Sequence, residues 1–243
     1  MAGKQFHLKK GDLFFLPQNR PHFLGSSQQK RKNSLQRAQS NALFNVHQIG
    51  AGTPDLKMFC GTFYYQKPSL LIDSLPDYLH LSLQNTPVQP LVSLFLQEAE
   101  KPEQGTKSVI DALSNVLFIY ILRHAQQIGL LNQGLLAALQ DKRLNQVLEK
   151  ILFSPQLDWN IEQLAELASM SRATFMRIFQ QQLGMPPGKF LTQVRLEMAA
   201  VLLKNTQKTI LAIALEVGYQ SEAHFSKAFK AIYGLSPSQF RKT

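Results

Sequence analysis

The apolar positions change their period along the chain. From about residue 143 onward they recur every three or four residues almost without a gap, as one buried face of a helix requires. The interruptions carry turn and cap chemistry: Ser154-Pro155, Gly184 with Pro186-Pro187, Asn205-Thr206, Gly218-Tyr219, and Gly234 with Pro237. Together they predict seven helices, over about 143–152, 160–168, 171–182, 187–203, 209–217, 221–232 and 236–241. The earlier part reads otherwise. Leu13-Phe14-Phe15-Leu16 is a short apolar run closed by Pro17, and Lys57 to Tyr65 (KMFCGTFYY) is dense in aromatic residues, as buried strands often are. Between them, Ser26 to Asn41 has almost no apolar residue and predicts a solvated basic loop. Its Lys30, Arg31 and Lys32 are either a phosphate contact or a plain surface insertion.

From 86 to 140 the period turns helical. Leu91, Leu94, Phe95 and Glu98 share a 3-4 spacing, and so do Val109, Ile110, Leu113, Val116, Leu117 and Tyr120. Ile119 and Ile121 widen this second stripe beyond one face. Such a helix is buried either in its own domain or against a second copy of the chain. The wide stripe favours a homodimer, with an ordinary core helix as the alternative. Gly129 and Gly134 then mark the passage to the last region. The expected fold is α+β: a β-rich region over 1–84, a helical dimerisation and linker region over 85–142, and an all-α domain over 143–243.

Within that last domain one pattern occurs twice. Ile161, Leu164, Ala165 and Ala168 share a face, a short turn follows, and Ser171 caps a helix whose Phe175, Ile178 and Phe179 point inward. Ile213 and Ala214 lead to Val217, Gly218 and Tyr219, and Ser221 caps a helix whose Phe225, Ala228 and Phe229 point inward. Small Ala165 permits a close helix crossing, and Gly218 supplies the freedom that a tight turn needs. Each pattern is a helix-turn-helix, whose second helix lies in a major groove. The helix joining them, 187–203, spans about 25 Å at 1.5 Å per residue. With the widths of the flanking units, two successive groove segments about 34 Å apart come within reach of one chain.

Composition narrows the classes. Of 243 residues 44% are hydrophobic and 17% charged, which excludes a wholly disordered chain. A single cysteine, Cys60, excludes an intrachain disulfide. The longest apolar run, Val116 to Leu122, predicts no transmembrane helix, and MAGKQFHLKKGD contains no signal-peptide core, so a cytoplasmic location and no membrane partner are expected. Lys and Arg number 26 against 16 Asp and Glu, a net charge of +10, which favours polyanions, nucleic acid first. Residues 1–142 hold 14 basic and 9 acidic groups and residues 143–243 hold 12 and 7, so charge alone does not locate the surface. No phosphate-binding glycine loop, nucleophile elbow or HExxH occurs, so neither catalytic residues nor a cofactor are expected.

Residues 143–243 resemble the AraC/XylS family of bacterial transcription regulators. The likeness is carried by WNIEQLAELASMSRATFMRIFQQQLGMPPGKFLTQVRLEMAAVLL and AIALEVGYQSEAHFSKAFKAIYGLSPSQFRK. It implies a sequence-specific DNA-binding domain acting on promoter DNA and RNA polymerase, with activation the commoner mode and repression the alternative. It places DNA-contacting positions on Ala173, Thr174, Met176 and Arg177, and on Glu222, Ala223, Ser226 and Lys227 with His224 beside them. Arg177 suits bidentate guanine reading, and Lys227 a phosphate. Thr174 and Ser226 can donate to either, and Ala173 and Met176 can make apolar contact. Glu222 and Ala223 donate little, so the first unit is expected to carry more of the direct readout. For each residue the alternative is a merely exposed side chain.

The start resembles a cupin barrel, through Gly11, Pro17 and His22. The usual metal ligands would precede Gly11, where only His7 stands, so either the chain begins partway through the barrel or the barrel is atypical, and no metal is expected. His22 is expected to be packed or hydrogen-bonded rather than a ligand. Cys60-Gly61-Thr62 and Ser74 to Leu81 (SLPDYLHL) resemble the layout of cupin-bearing regulators that include oxidant-responsive members. Cys60 is then either a redox sensor or a small buried residue in a strand. The resulting expectation is a regulator controlled by an effector or redox signal in its N-terminal region. The alternatives are a cupin-type metal-dependent enzyme and a ligand-binding module that does not bind DNA.

Overall fold

The apolar run before Pro17 forms strand β1 (Asp12–Phe15) in the computed structural model, which describes residues 4–18, 20–23, 36–40, 45–49, 58–65 and 68–243, with backbone alone at 36–40 and 45–49. Two further strands, β2 (Gln36–Ser40) and β3 (Asn45–Ile49), pair antiparallel with each other, Gln36 opposite Ile49. After the short helix α1 (Leu70–Asp73), strand β4 (Leu79–Ser82) pairs antiparallel with β1, Asp12 opposite Ser82 and Phe15 opposite Leu79. Alternation along β4 buries Leu79 and Leu81 and turns His80 to the other face, where its Nε2 lies 2.9 Å from Asp12 Oδ2. Helices α2 (Val88–Glu100) and α3 (Thr106–Gln127) pack together. Buried Thr106 ties their connection: its hydroxyl donates to Glu98 Oε2 at 2.9 Å and accepts the N–H of Glu103 at 2.8 Å.

Several expectations change here. Gln36–Ser40 is a strand although the 26–41 segment is polar, because ladder bonding to β3 asks nothing of side-chain hydropathy. Lys30, Arg31 and Lys32 lie outside the described residues. Conversely, 58–65 is not a strand. Its aromatic rings pack on other elements instead of across a ladder: Phe59 on Phe95, and Phe63 on Phe15 and Phe118. The α3 stripe is only partly covered. Ile121, Leu122 and Ala125 are buried, while Val109, Val116 and Ile119 are 37%, 41% and 49% exposed. Against expectation, α3 is long and apolar enough to cross a membrane by length and composition alone. Small and weakly polar residues such as Ala112 and Ser114 extend the seven-residue apolar run without breaking its average. The helix also carries Lys107, Asp111 and Arg123, and it packs on α2 and β4.

The chain divides into two compact units, Met1–Tyr64 with Asp77–Ile128, and Tyr65–Pro76 with Gly129–Thr243. This grouping differs from the three expected segments. Helices α2 and α3 pack with the strands, and α1 packs with the C-terminal helices. The second unit continues with α4 (Leu135–Ala138), α5 (Asn145–Phe153), α6 (Ile161–Leu167), α7 (Arg172–Leu183), α8 (Pro187–Asn205), α9 (Ile210–Glu216), α10 (Glu222–Tyr233) and α11 (Pro237–Lys242). Helices α5 to α11 match the seven expected. Their limits follow from caps. Asn160 and Ser236 form capping boxes with Gln163 and Gln239, and Ser171, Thr209 and Ser221 each accept the N–H of the third helical residue. Pro187 and Pro237 open α8 and α11 at positions where no N–H is needed.

Helix α8 serves two apolar clusters. Phe190, Leu191 and Val194 join Val147, Leu148, Ile151, Leu164, Phe175 and Phe179. One step further along, Leu196, Ala199, Ala200 and Leu203 join Ile213, Val217, Phe225, Phe229 and Phe240. A helix apolar nearly all round is what two flanking cores require.

Candidate nucleic-acid interface

Helices α7 and α10 are each pinned by two fully buried phenylalanines one turn apart, Phe175 with Phe179 and Phe225 with Phe229, whose ring centroids lie 5.5 and 5.6 Å apart. Burying that face turns the opposite one outward. On α7 it presents exposed Ala173 and Arg177, with Thr174 and Met176 half-buried at its edge. The Thr174 hydroxyl accepts from Ser171 Oγ at 2.9 Å, so the cap holds part of its capacity. On α10 it presents exposed Glu222, Ala223, His224 and Lys227, with Ser226 half-buried. The residues named from the sequence thus form two groups, one on each helix. Among the described residues Arg177 and Lys227 make no ion pair, so both cations are available to a polyanion. Arg172, which the sequence reading passed over, stands exposed at the start of α7 and pairs with Glu162 at 3.0 Å. Its signal was present: it directly follows the cap residue Ser171, where an N-terminal side chain reaches outward.

Packing between the two helix-turn-helix units runs through α8. Arg195 donates from Nε to the Pro155 carbonyl at 2.7 Å and from Nη2 to the Leu157 carbonyl at 2.8 Å. It thereby grips the loop that leads into α6. Burial pulls its guanidinium below the usual arginine value. Gly218, in the turn of the second unit, lies against the same place: a Cβ there would sit 2.8 Å from Gln156 Cα and 3.0 Å from Arg195 Cζ. Two residues beyond Arg195 is Glu197, whose carboxyl burial pushes up. Neither residue was legible in the sequence beyond being charged on a mostly apolar helix. Trp159 packs against the first cluster, and its Nε1 donates to the Ser154 carbonyl at 2.9 Å.

The first unit holds the remaining candidates. Cys60 is exposed, which overturns its reading as a small buried residue in a strand and leaves the redox reading open. His22 is hydrogen-bonded, its Nδ1 3.1 Å from the Arg20 carbonyl oxygen. Among the described residues no group of three or more His, Cys, Asp or Glu could hold a metal ion.

Comparison with known proteins agrees with this geometry. Residues 164–243 match a family model described as a helix-turn-helix domain, and residues 2–127 match one described as a cupin. An uncharacterised HTH-type transcriptional regulator of Haemophilus influenzae is 66% identical over 240 residues, covering 99% of this chain and 80% of that protein. The HTH-type transcriptional regulator MtrA of Neisseria gonorrhoeae is 41% identical over 235 residues, covering 96% and 77%. The RCS-specific HTH-type transcriptional activator RclR of Escherichia coli is 28% identical over 249 residues, covering 99% and 78%. The two halves of the match, a cupin region ahead of paired helix-turn-helix units, account for nearly the whole chain, which therefore belongs to the AraC family of HTH-type, DNA-binding transcriptional regulators.

Proposed function

We propose that this chain reads a bipartite duplex site, placing α7 and α10 in successive segments of the major groove of promoter DNA. The observation that carries this is the repeat itself. Two helices with the same serine cap and the same buried phenylalanine pair each turn a cation outward, Arg177 or Lys227, that makes no ion pair among the described residues. Helix α8, with 19 residues, spans about 28 Å, close to the ~34 Å between groove segments. Arg177 reads a guanine edge, Lys227 holds a phosphate, and Thr174 and Ser226 donate to phosphate or base edges. Ala173 and Met176 make apolar contacts, and Glu222, Ala223 and His224 border the second groove segment. The regulator works in the cytoplasm as an activator that engages RNA polymerase, and it pairs with a second copy through the bare stripe of α3. A signal in the N-terminal unit controls it. Exposed Cys60 is the group suited to an oxidant signal, and one relative is named as RCS-specific. Regulators of this family are as a rule not enzymes.

The test is selection of the purified chain on random duplexes, followed by affinity for the winner across a salt series. A motif of two half-sites about one turn apart, with a steep salt slope, is expected. A single short motif, or salt-independent binding, would overturn the two-headed reading. For the sensor, Cys60→Ser should abolish oxidant-dependent reporter output, and unchanged output removes Cys60 from the mechanism.

A further inference from the structure

A short piece of the N-terminal half belongs to the DNA-reading unit: the chain contributes Tyr65–Pro76 to it and then returns through Asp77 to the first unit. Leu70 is buried in the cluster of Phe175, Phe179 and Phe190. Its N–H donates to Glu197 Oε1 at 2.6 Å, across 127 positions of sequence. Ser69 already caps α1 by accepting the Ile72 N–H, so the Leu70 donor is one of the orphan groups of the helix, satisfied by a carboxyl oxygen from α8. At the other end Ser74 Oγ accepts the Leu135 N–H at 3.3 Å. Gly134, at φ 89°, lies so near that a Cβ would sit 2.7 Å from the Ser74 carbonyl oxygen. The segment is therefore seated at both ends.

Glu197 stands where the two apolar clusters divide α8, since Val194 belongs to the first and Leu196 to the second. Gln193, one turn earlier, donates to the same Glu197 oxygen at 3.4 Å. On the α10 side, the charge of Glu197 adds to burial in holding the Tyr233 hydroxyl proton. The far end of the segment is tied to the first unit. Asp77 Oδ1 accepts from Arg20 Nη2 at 2.8 Å, and β4, paired with β1, begins at Leu79. Any shift of β4 thus reaches Pro76 through two residues only.

We infer that Pro68–Leu75 is a strap that holds the two helix-turn-helix units in the mutual orientation a bipartite duplex requires, and that the first unit lowers DNA affinity by releasing the strap from Glu197. This rests on the reading of α7 and α10 as the two DNA helices. The test uses the full chain, the duplex it selects from a random library, and that duplex with one half-site scrambled. Leu70→Pro removes the donor at a first helical position, where proline is tolerated, and the preceding Ser69 is already extended (φ −138°, ψ 116°). Glu197→Ala removes the acceptor, while Glu197→Gln keeps an acceptor oxygen. Leu70→Pro and Glu197→Ala should each cut the preference for the intact duplex over the scrambled one by about 5–10-fold, within the usual range of coupling between sites. The double variant should lose no more than either single one, because both break one contact. Glu197→Gln should stay within about twofold of the parent. Faster exchange of the Leu71 and Ile72 amides reports release. Released amides with an unchanged duplex preference would overturn the strap. If Glu197→Ala fails to fold, Leu70→Pro decides alone, because it leaves α8 unchanged; Leu70→Ala, which keeps the N–H but loses the buried side chain, should retain the duplex preference and so separates the hydrogen bond from the packing. If the parent chain selects no bipartite duplex, the DNA reading itself falls, and the strap with it.

Discussion

The two helix-turn-helix units share an interior and differ in their turns. Ser171, Phe175, Phe179, Gly184 and Pro187 recur as Ser221, Phe225, Phe229, Gly234 and Pro237, each 50 positions later. The leading helices correspond at 49 instead: Ile161 with Ile210, Leu164 with Ile213, Ala165 with Ala214. The second turn therefore contains one more residue before its cap, Gln220. Both turns share an equivalent closing bond, Met170 N–H to the Ala165 carbonyl and Tyr219 N–H to the Ala214 carbonyl, each 2.9 Å. Both also need one left-handed residue, Ser169 at φ 54° and Gly218 at φ 92°. An exposed serine suffices in the first, whereas the second turn presses on Gln156 and Arg195 and has no room for a Cβ. Glycine is thus required by the close approach as well as by the backbone angle.

The sharpest way to break this comparison is to empty one core at a time. Phe175→Ala and Phe225→Ala should each cost about 3–5 kcal/mol, with faster amide exchange confined to the cluster that lost its ring. Equal loosening of both clusters would show that α8 joins them into one cooperative core. Next come the turns. Gly218→Ala should destabilise by about 2–3 kcal/mol, from left-handed strain plus overlap with Gln156, whereas Ser169→Gly should be neutral or gain about 0.5 kcal/mol. Denaturant midpoints check both, and a matching loss at the two positions would erase the distinction between them. On the surface, Arg177→Ala should cost about 1–3 kcal/mol of specific binding and relax one operator position, while Lys227→Ala should weaken all duplexes alike and flatten the salt slope by about one. The reverse pattern would assign direct readout to α10.

The smallest effect concerns pH. Burial holds the Glu197 carboxyl above its ordinary value of 4.5, so ionising it opposes folding. That penalty is absent well below pH 4.5, grows as pH rises above 4.5, and levels off above the raised value. The solvent that still reaches the group lessens it. Glu197→Gln should therefore melt about 1–3 °C higher than the parent at pH 7 and match it near pH 4. A constant offset across that range would mean that the carboxyl titrates normally.

Most of the second unit was legible because its signals are local. The caps at Ser171 and Ser221 and the breaks at Gly184 and Gly234 act within a few residues of the helices they end. The N-terminal half was less so. Aromatic density at 58–65 suggested a strand, but Phe59 and Phe63 satisfy their hydrophobicity against Phe95 and Phe118 without a ladder. Polar β2 gave no alternation to detect, since backbone pairing is blind to its side chains. The outward faces carrying Ala173, Thr174, Met176 and Arg177, and Glu222, Ala223, His224, Ser226 and Lys227, follow from the burial of the phenylalanines opposite them.

What the chain's own order of residues determined is therefore the pair of helix-turn-helix units and the helix between them, since periodicity, caps and glycine turns are short-range. Only the tertiary structure decided that α1 belongs with the DNA-reading unit, that Arg195 and Glu197 are gripped from far along the sequence, and that Cys60 faces solvent. Those outcomes depend on which distant groups meet, and a buried charge on an apolar helix shows its purpose only once its partner is in place.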